Sequence, residues 1–178
     1  MRLDHIAYRV TDRYKASDFF ISSLGYRLSP DIPEGFDIQF EDGTNAQCLV
    51  LEPPEAESTS TGRVAHGHFG AEWHAPPEIF VSDGSKNSIV AEWVKENGPG
   101  IHHLAYEVDS VELTMLHWSA KYGTKFTTDK PLRCEGLVQA FTQPHPITGM
   151  IYEIIERTTQ GFCKDNVKDL MESTRSGK

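Results

Sequence analysis

Two histidines and one glutamate are the residues of this sequence whose types and spacing could do chemistry. His5 lies in LDHIAYRV (residues 3–10) and His103 in IHHLAYEV (residues 101–108), two stretches that share the pattern His-[Ile/Leu]-Ala-Tyr-x-Val and stand 98 residues apart. Glu153 lies in MIYEIIER (residues 150–157), a run otherwise built largely from Ile, Met and Tyr, where a carboxylate facing the interior must be compensated. A divalent cation supplies that compensation. Two imidazoles and one carboxylate on one side of such an ion leave positions open for a substrate, which is the facial arrangement of non-heme Fe(II) oxygenases. Taken singly, each residue has a plainer reading: a strand histidine satisfied in the core, or Glu153 paired with Arg157 or Arg9. The matched register of His5 and His103 favours a metal centre.

The elements that must position these side chains repeat as well. At the same offset Gly25, Arg27 and Leu28 match Gly123, Lys125 and Phe126, so each histidine strand is followed by a segment of equal length, the mark of a duplicated supersecondary unit. Thr11 or Asp12 opens the first helix, Ala16, Phe19, Phe20 and Leu24 recur at helical spacing, and Gly25 closes it. Asp109 opens the second with Glu112 as its capping-box partner, and Leu113, Leu116 and Ala120 form the expected buried stripe before Gly123. Strand-like runs follow at 26–28, 36–40 and 47–51, and again at 126, 137–141 and 150–155, which gives βαβββ twice.

Strand parity then sorts the side chains. Ile6, Tyr8 and Val10 face the helix, while His5 shares the opposite face with Leu3, Ala7 and Arg9; in the second copy His102, Leu104, Tyr106 and Val108 face the helix and His103, Ala105 and Glu107 lie opposite. The fold class that follows is α+β, with two tandem βαβββ modules forming one curled mixed β-sheet whose concavity carries the two histidines, and with the helices outside. The chain reads as a single domain over 1–178. Module one spans about 1–54, a connecting loop about 55–88, module two about 89–160 and a C-terminal helix about 163–174. Residues 53–77, rich in Pro, Gly, Ser and Thr, read as a long loop whose His66, His68 and His74 fit a solvated segment better than a second metal site. A short helix is expected at 89–96.

Composition excludes several classes. With 17 Lys+Arg against 26 Asp+Glu the net charge is -9 and no basic cluster stands out, so neither nucleic acid nor an anionic membrane is an expected partner. No run of 18 apolar residues occurs, and the N-terminus lacks a secretory pattern. Cys48, Cys134 and Cys163 are an odd set without CxxC spacing, as expected of free thiols in a reducing compartment, and the cytoplasm is the default location.

These residues resemble a known family. The doubled βαβββ unit with a histidine opening each copy is similar to the vicinal oxygen chelate superfamily of glyoxalases, epimerases, extradiol dioxygenases and bleomycin-resistance proteins. VLEPP at 50–54, SIVAEWVKENGPGIHHLAYEV at 88–108, LVQAFTQP at 137–144 and IYEIIERTTQGFCKDNVKDLMES at 151–173 further resemble the catalytic C-terminal half of the 4-hydroxyphenylpyruvate dioxygenases. That resemblance implies Fe(II) held by His5, His103 and Glu153, an α-keto acid as the small-molecule substrate, O2 as co-substrate, Gln139 as an active-site glutamine, Phe141 and Phe162 around the substrate, and Asn166 on a helix covering the pocket. The superfamily also implies a homodimer. Leu51, His102 and Val167 depart from the dioxygenase pattern. A second reading is a glyoxalase-like isomerase, lyase or epimerase with a redox-inert ion such as Zn, Ni, Mn or Co acting as a Lewis acid, whose common fourth ligand would fall near Gln47 or Cys48. A third is a binding module that holds a small molecule without catalysis.

Overall fold

The computed structural model describes residues 1–53, 58–59, 62–66, 72–74, 76–158 and 161–175. Along them run β1 (Arg2–Arg9), α1 (Arg13–Leu24), β2 (Arg27–Leu28), β3 (Phe36–Gln39), β4 (Asn45–Glu52), β5 (Ser58–Thr59), β6 (Gly62–His66), β7 (Glu72–His74), β8 (Glu78–Gly84), α2 (Ile89–Asn97), β9 (Gly100–Glu107), α3 (Val111–Tyr122), β10 (Leu132–Cys134), β11 (Leu137–Phe141), β12 (Ile151–Arg157) and α4 (Lys164–Ser173). The two histidine strands lie side by side and antiparallel at the centre, with Ala105 opposite His5 and His103 opposite Ala7. Each has a parallel neighbour on its other side, β8 beside β1 and β12 beside β9. The open, mixed sheet has the order β10-β11-β12-β9-β1-β8-β4-β2, with β3 also on β4, so its halves mirror each other across the β1–β9 pair. This is the α+β architecture that the repeat predicts.

Its first half ends later than expected. The last strand of that half is β8, which falls in the stretch read as a connecting loop, and β4 precedes it in the sheet. Ile79, Phe80, Val81 and Ser82 are all buried, because this strand is covered on both faces, and a continuously buried strand lacks the period-two signal that reveals a half-exposed one. The insertion therefore sits inside the first half. Within it, β5, β6 and β7 pair as a separate antiparallel sheet. His68 and the side chains of His66 and His74 lie outside the described residues. In the second half Phe126 makes a single bridge to Thr142, and the strand at 132–134 was not foreseen.

The helices close on local signals. Asp12 caps α1 by accepting from the backbone N–H groups of Tyr14 and Lys15, and Gly25 ends it at φ 75°. Of the expected stripe only Ala16 and Phe20 turn inward, against Ile6, Tyr8 and Val10, while Phe19 and Leu24 are exposed. On α3 the cap is Ser110 rather than Asp109, so the inward stripe is Val111, Met115 and Trp118, and Leu113 and Leu116 face solvent. α1 and α3 cover the outer face; α2 and α4 fill the concave one, where Val90, Val94, Val167 and Met171 pack with Ala7 and Phe80. Among the described residues no helix is long and apolar enough to cross a membrane.

Candidate metal centre

His5, His103 and Glu153 meet in the concavity, all buried, with one donor atom from each within 4.8 Å of the others. Their separations are 3.3 Å from His5 Nε2 to Glu153 Oε2, 3.1 Å from His103 Nε2 to the same oxygen, and 3.4 Å between the two Nε2 atoms. Donors about 2.1 Å from one ion lie about 3.0 Å apart at right angles and about 3.4 Å apart in a tetrahedron, so this triangle has the size of one face of a metal's coordination shell. Glu153 does not pair with Arg157 or Arg9; its partners are the two imidazoles and Gln139.

A second layer aims the donors. Gln139 Nε2 donates to Glu153 Oε1 at 2.7 Å and Gln139 Oε1 accepts from Asn166 Nδ2 at 2.9 Å, so the chain from α4 through β11 occupies Oε1 and leaves Oε2 directed at the histidines. Asp4 Oδ2 lies 2.8 Å from His5 Nδ1, and Asp4 is in turn held by Arg157 Nε and Nη2 at 3.0 and 2.9 Å. A carboxylate on Nδ1 leaves Nε2 as the free ligand atom, the usual arrangement behind a metal-bound histidine. Burial opposes charge on Asp4, yet His5 and Arg157 hold its carboxyl down at about 2. Burial likewise opposes protonation of His5, but Glu153 and Asp4 outweigh it and push the imidazole up to about 9. His103 is lowered by burial, and Glu153, despite burial, is held well below the carboxylate range by the two imidazoles.

Sequence reasoning missed Asp4 because alternation would place it on the face opposite His5. The β1–β9 register shifts between Leu3 and His5, and again between Ala7 and Tyr8, where His102 has no partner of its own. Bulges re-aim side chains. The second one overturns the placement of His102 on the helix side: its ring is buried in the concavity, its Nδ1 lies 2.8 Å from His103 Nδ1, and Trp93 stands edge-on to it at 5.5 Å. Burial, the charge of Arg9 and the neighbouring His103 pull His102 well below the ordinary imidazole value.

Phe141 lies 4.6 Å from the His103 ring and Phe162 lies 5.1 Å from the His5 ring, so each histidine of the triad has an aromatic neighbour. With Phe80, Gln139, Val167, Leu170 and Met171 they line a cavity of about 30 Å³, room for more than one water molecule. Asn166 acts on this site through Gln139 and does not line it. The position expected for a fourth ligand also moves. Gln47 is occupied by Arg13 Nη1 at 2.6 Å and Cys48 is packed in the core, whereas the true last strand of the first half brings Phe80 to the concavity.

Residues 4–137 match the family model described as the glyoxalase/bleomycin resistance protein/dioxygenase superfamily. Over 156 residues the chain is 22% identical to the mitochondrial methylmalonyl-CoA epimerase of Mus musculus, spanning 86% of this chain and 71% of that one. Among solved structures it resembles methylmalonyl-CoA epimerase from Mycobacterium tuberculosis, with a TM-score of 0.61 and 18% identity over 89% of each chain. It also resembles a variant of the Streptomyces coelicolor methylmalonyl-CoA epimerase in complex with 2-nitronate-propionyl-CoA, with a TM-score of 0.60 and 20% identity over 89% of this chain and 99% of that one. These relatives are isomerases and correct the expectation of an Fe(II)-dependent oxidoreductase of the hydroxyphenylpyruvate dioxygenase kind; the O2 expected as co-substrate falls with it. The physical reason is that a His-His-Glu face suits redox-active and redox-inert ions alike, so the residues that suggested iron do not by themselves distinguish oxygen activation from Lewis-acid chemistry.

Proposed function

The chain belongs to the glyoxalase/bleomycin resistance protein/dioxygenase superfamily, and from that premise we propose that it is a divalent-metal-dependent epimerase acting on a small-molecule substrate with an acidic C–H beside a carbonyl. The convergence of His5, His103 and Glu153 at 3.1 to 3.4 Å carries this reading, and the epimerase activity of the relatives supports it. In it, His5 Nε2, His103 Nε2 and Glu153 Oε2 hold the ion, which can be Zn, Ni, Mn, Co or Fe(II). Such an ion supplies Lewis-acid stabilisation to a carbonyl oxygen whose neighbouring carbon loses its proton.

The protein's own groups do the rest. Asp4 fixes the tautomer and ring angle of His5, Gln139 and Asn166 keep Glu153 Oε2 turned toward the histidines, and Gln139 is thus a positioning residue whose amide is already occupied at both ends. Phe141, Phe162 and the α4 residues Val167, Leu170 and Met171 keep bulk water away, which strengthens every electrostatic interaction at the reacting carbon.

The test is hydrogen exchange. Protein loaded in turn with Co, Zn, Ni, Mn or Fe(II) under argon is incubated in D2O with methylmalonyl-CoA, the substrate of the relatives, and with other chiral 2-substituted acyl thioesters and acids. The expected result is metal-dependent wash-in of deuterium at the stereocentre, seen by proton NMR together with racemisation. Protein that binds the ions tightly but exchanges no substrate proton would overturn the epimerase reading.

The ligand assignment makes its own prediction. His103→Ala removes a donor and is expected to abolish metal uptake, whereas His102→Ala removes only the contact at His103 Nδ1 and is expected to weaken affinity by about 10-fold, the low end of what outer partners contribute. Titration calorimetry with Zn or Co measures both. Equal losses would make His102 a ligand.

A further inference from the structure

Among the described residues Arg9 is a buried cation without an ionic partner. It is the third inward residue of β1 after His5 and Ala7, only 2% exposed, and it lines the same cavity as the triad. Its Nη2 donates to Thr174 Oγ1 at 3.2 Å and its guanidinium carbon stands 5.8 Å from the centre of the Trp93 ring, but Nη1 has no hydrogen-bond partner. No carboxylate among the described residues pairs with Arg9. Burial pulls Arg9 down to about 9, so it is still charged at neutral pH. A buried, unpaired charge is expensive and persists where something else supplies the counter-charge.

A second orphan lies beside it. His102 Nε2 is buried in the same cavity with no partner. If His103 Nε2 is given to an ion, the proton of His103 sits on Nδ1 and points at His102 Nδ1, which must then accept, and the His102 proton is left on Nε2. The buried Arg9 guanidinium, with Nη1 unanswered, is a donor that calls for an anion, and with an ion on His103 the His102 N–H would be a second.

We propose that Arg9, with His102 beside it, forms a carboxylate-binding subsite, and that the substrate is an acid whose free carboxylate sits at Arg9 while its other end is held at the triad. Trp93 supports the guanidinium from behind, and Arg9 sets specificity without touching the reacting carbon. His5 and Arg9 are four residues apart on one strand, about 13 Å between Cα atoms, and both side chains turn into one cavity, so the two recognised groups belong to one small molecule. The His102 part rests on the metal reading given above; the Arg9 part does not.

Succinate and butanoate, of equal chain length but with two carboxylates and one, are titrated into Zn-loaded protein by calorimetry. Succinate is expected to bind at least 10-fold more tightly. In Arg9→Met, which keeps the buried volume, that preference disappears while zinc content stays unchanged; Arg9→Lys restores part of it. The same titration of metal-free protein separates the two readings, because an Arg9-dependent preference for succinate that survives there supports the subsite even if no ion is ever bound. An absent preference in the wild-type protein, or a preference that survives in Arg9→Met, overturns the proposal.

Discussion

Glu153→Gln is expected to weaken divalent-metal binding by about 150- to 4,000-fold, because a buried charge taken from its partners is worth roughly 3 to 5 kcal/mol. The substitution keeps the shape of the side chain and its place beside Gln139 while removing the charge that both imidazoles face. Its effect on protons is separately measurable. In the metal-free protein Glu153 and Asp4 push His5 up to about 9, so at pH 7 the site holds a proton that an ion must displace. Metal affinity should therefore rise with pH up to about 9, and uptake at pH 7 should release a proton, measurable by calorimetry in two buffers of different ionisation enthalpy. In Glu153→Gln the His5 titration, followed by proton NMR, falls back from about 9 and the release shrinks. Stability follows the same signs. The raised His5 stabilises the metal-free fold fully below its ordinary 6.5 and loses that contribution as pH climbs through about 9; the lowered Glu153 contributes above its ordinary 4.5 and loses it in acid. His5 and Glu153 together thus contribute most between about pH 5 and 6.5, while the lowered His103 works against them below its ordinary 6.5. Full metal occupancy in Glu153→Gln would remove the carboxylate from the ligand set.

The triad was legible because two independent regularities agree on it. The 98-residue repeat puts His5 and His103 in register, and strand alternation puts them on one face. Alternation fails where the ladder slips. Asp4 and His102 each sit at a register shift between β1 and β9, and nothing in LDHIAYRV or IHHLAYEV announces a bulge, since its cause is the pairing of two distant strands. The same limit hid β8, whose buried run EIFVSDG lies beyond an insertion and acquires its identity as a strand only between β1 and β4. Helix α3 shows a finer limit: Asp109 and Ser110 are both competent caps, and the choice of Ser110 exchanges Leu113 and Leu116 for Val111 and Met115 in the core. Chemistry was the least legible. Gln139, Phe141, Phe162 and Asn166 do gather at the triad, but what they gather around is set by the ion and the substrate, which side-chain types alone do not encode.

Phe80→Glu is expected to make the fold dependent on its ion. On β12, Glu153 pairs with Ala105, two residues after His103; on β8, Phe80 pairs with Ala7, two residues after His5. Phe80 therefore occupies the place that mirrors Glu153 across the β1–β9 pair, and its ring packs 5.2 Å from Phe162 and 6.4 Å from His5. A carboxylate there would face Glu153 across the two histidines. Without metal, two buried acids share the imidazoles, and the added uncompensated charge should cost about 3 to 5 kcal/mol, a fall in Tm of roughly 10 °C for a chain of this size. With Zn or Co the same carboxylate becomes a fourth donor, so metal should restore the lost stability and bind more tightly than in the wild type. It also takes a coordination position that the apolar ring leaves for substrate, so exchange activity should fall even as affinity rises. Melting curves with and without zinc, together with the visible spectrum of the cobalt form, decide the matter. A zinc-induced rise in Tm no larger than that of the wild type would mean that the β8 position does not reach the ion, and that the twofold relation of the strands stops short of the metal.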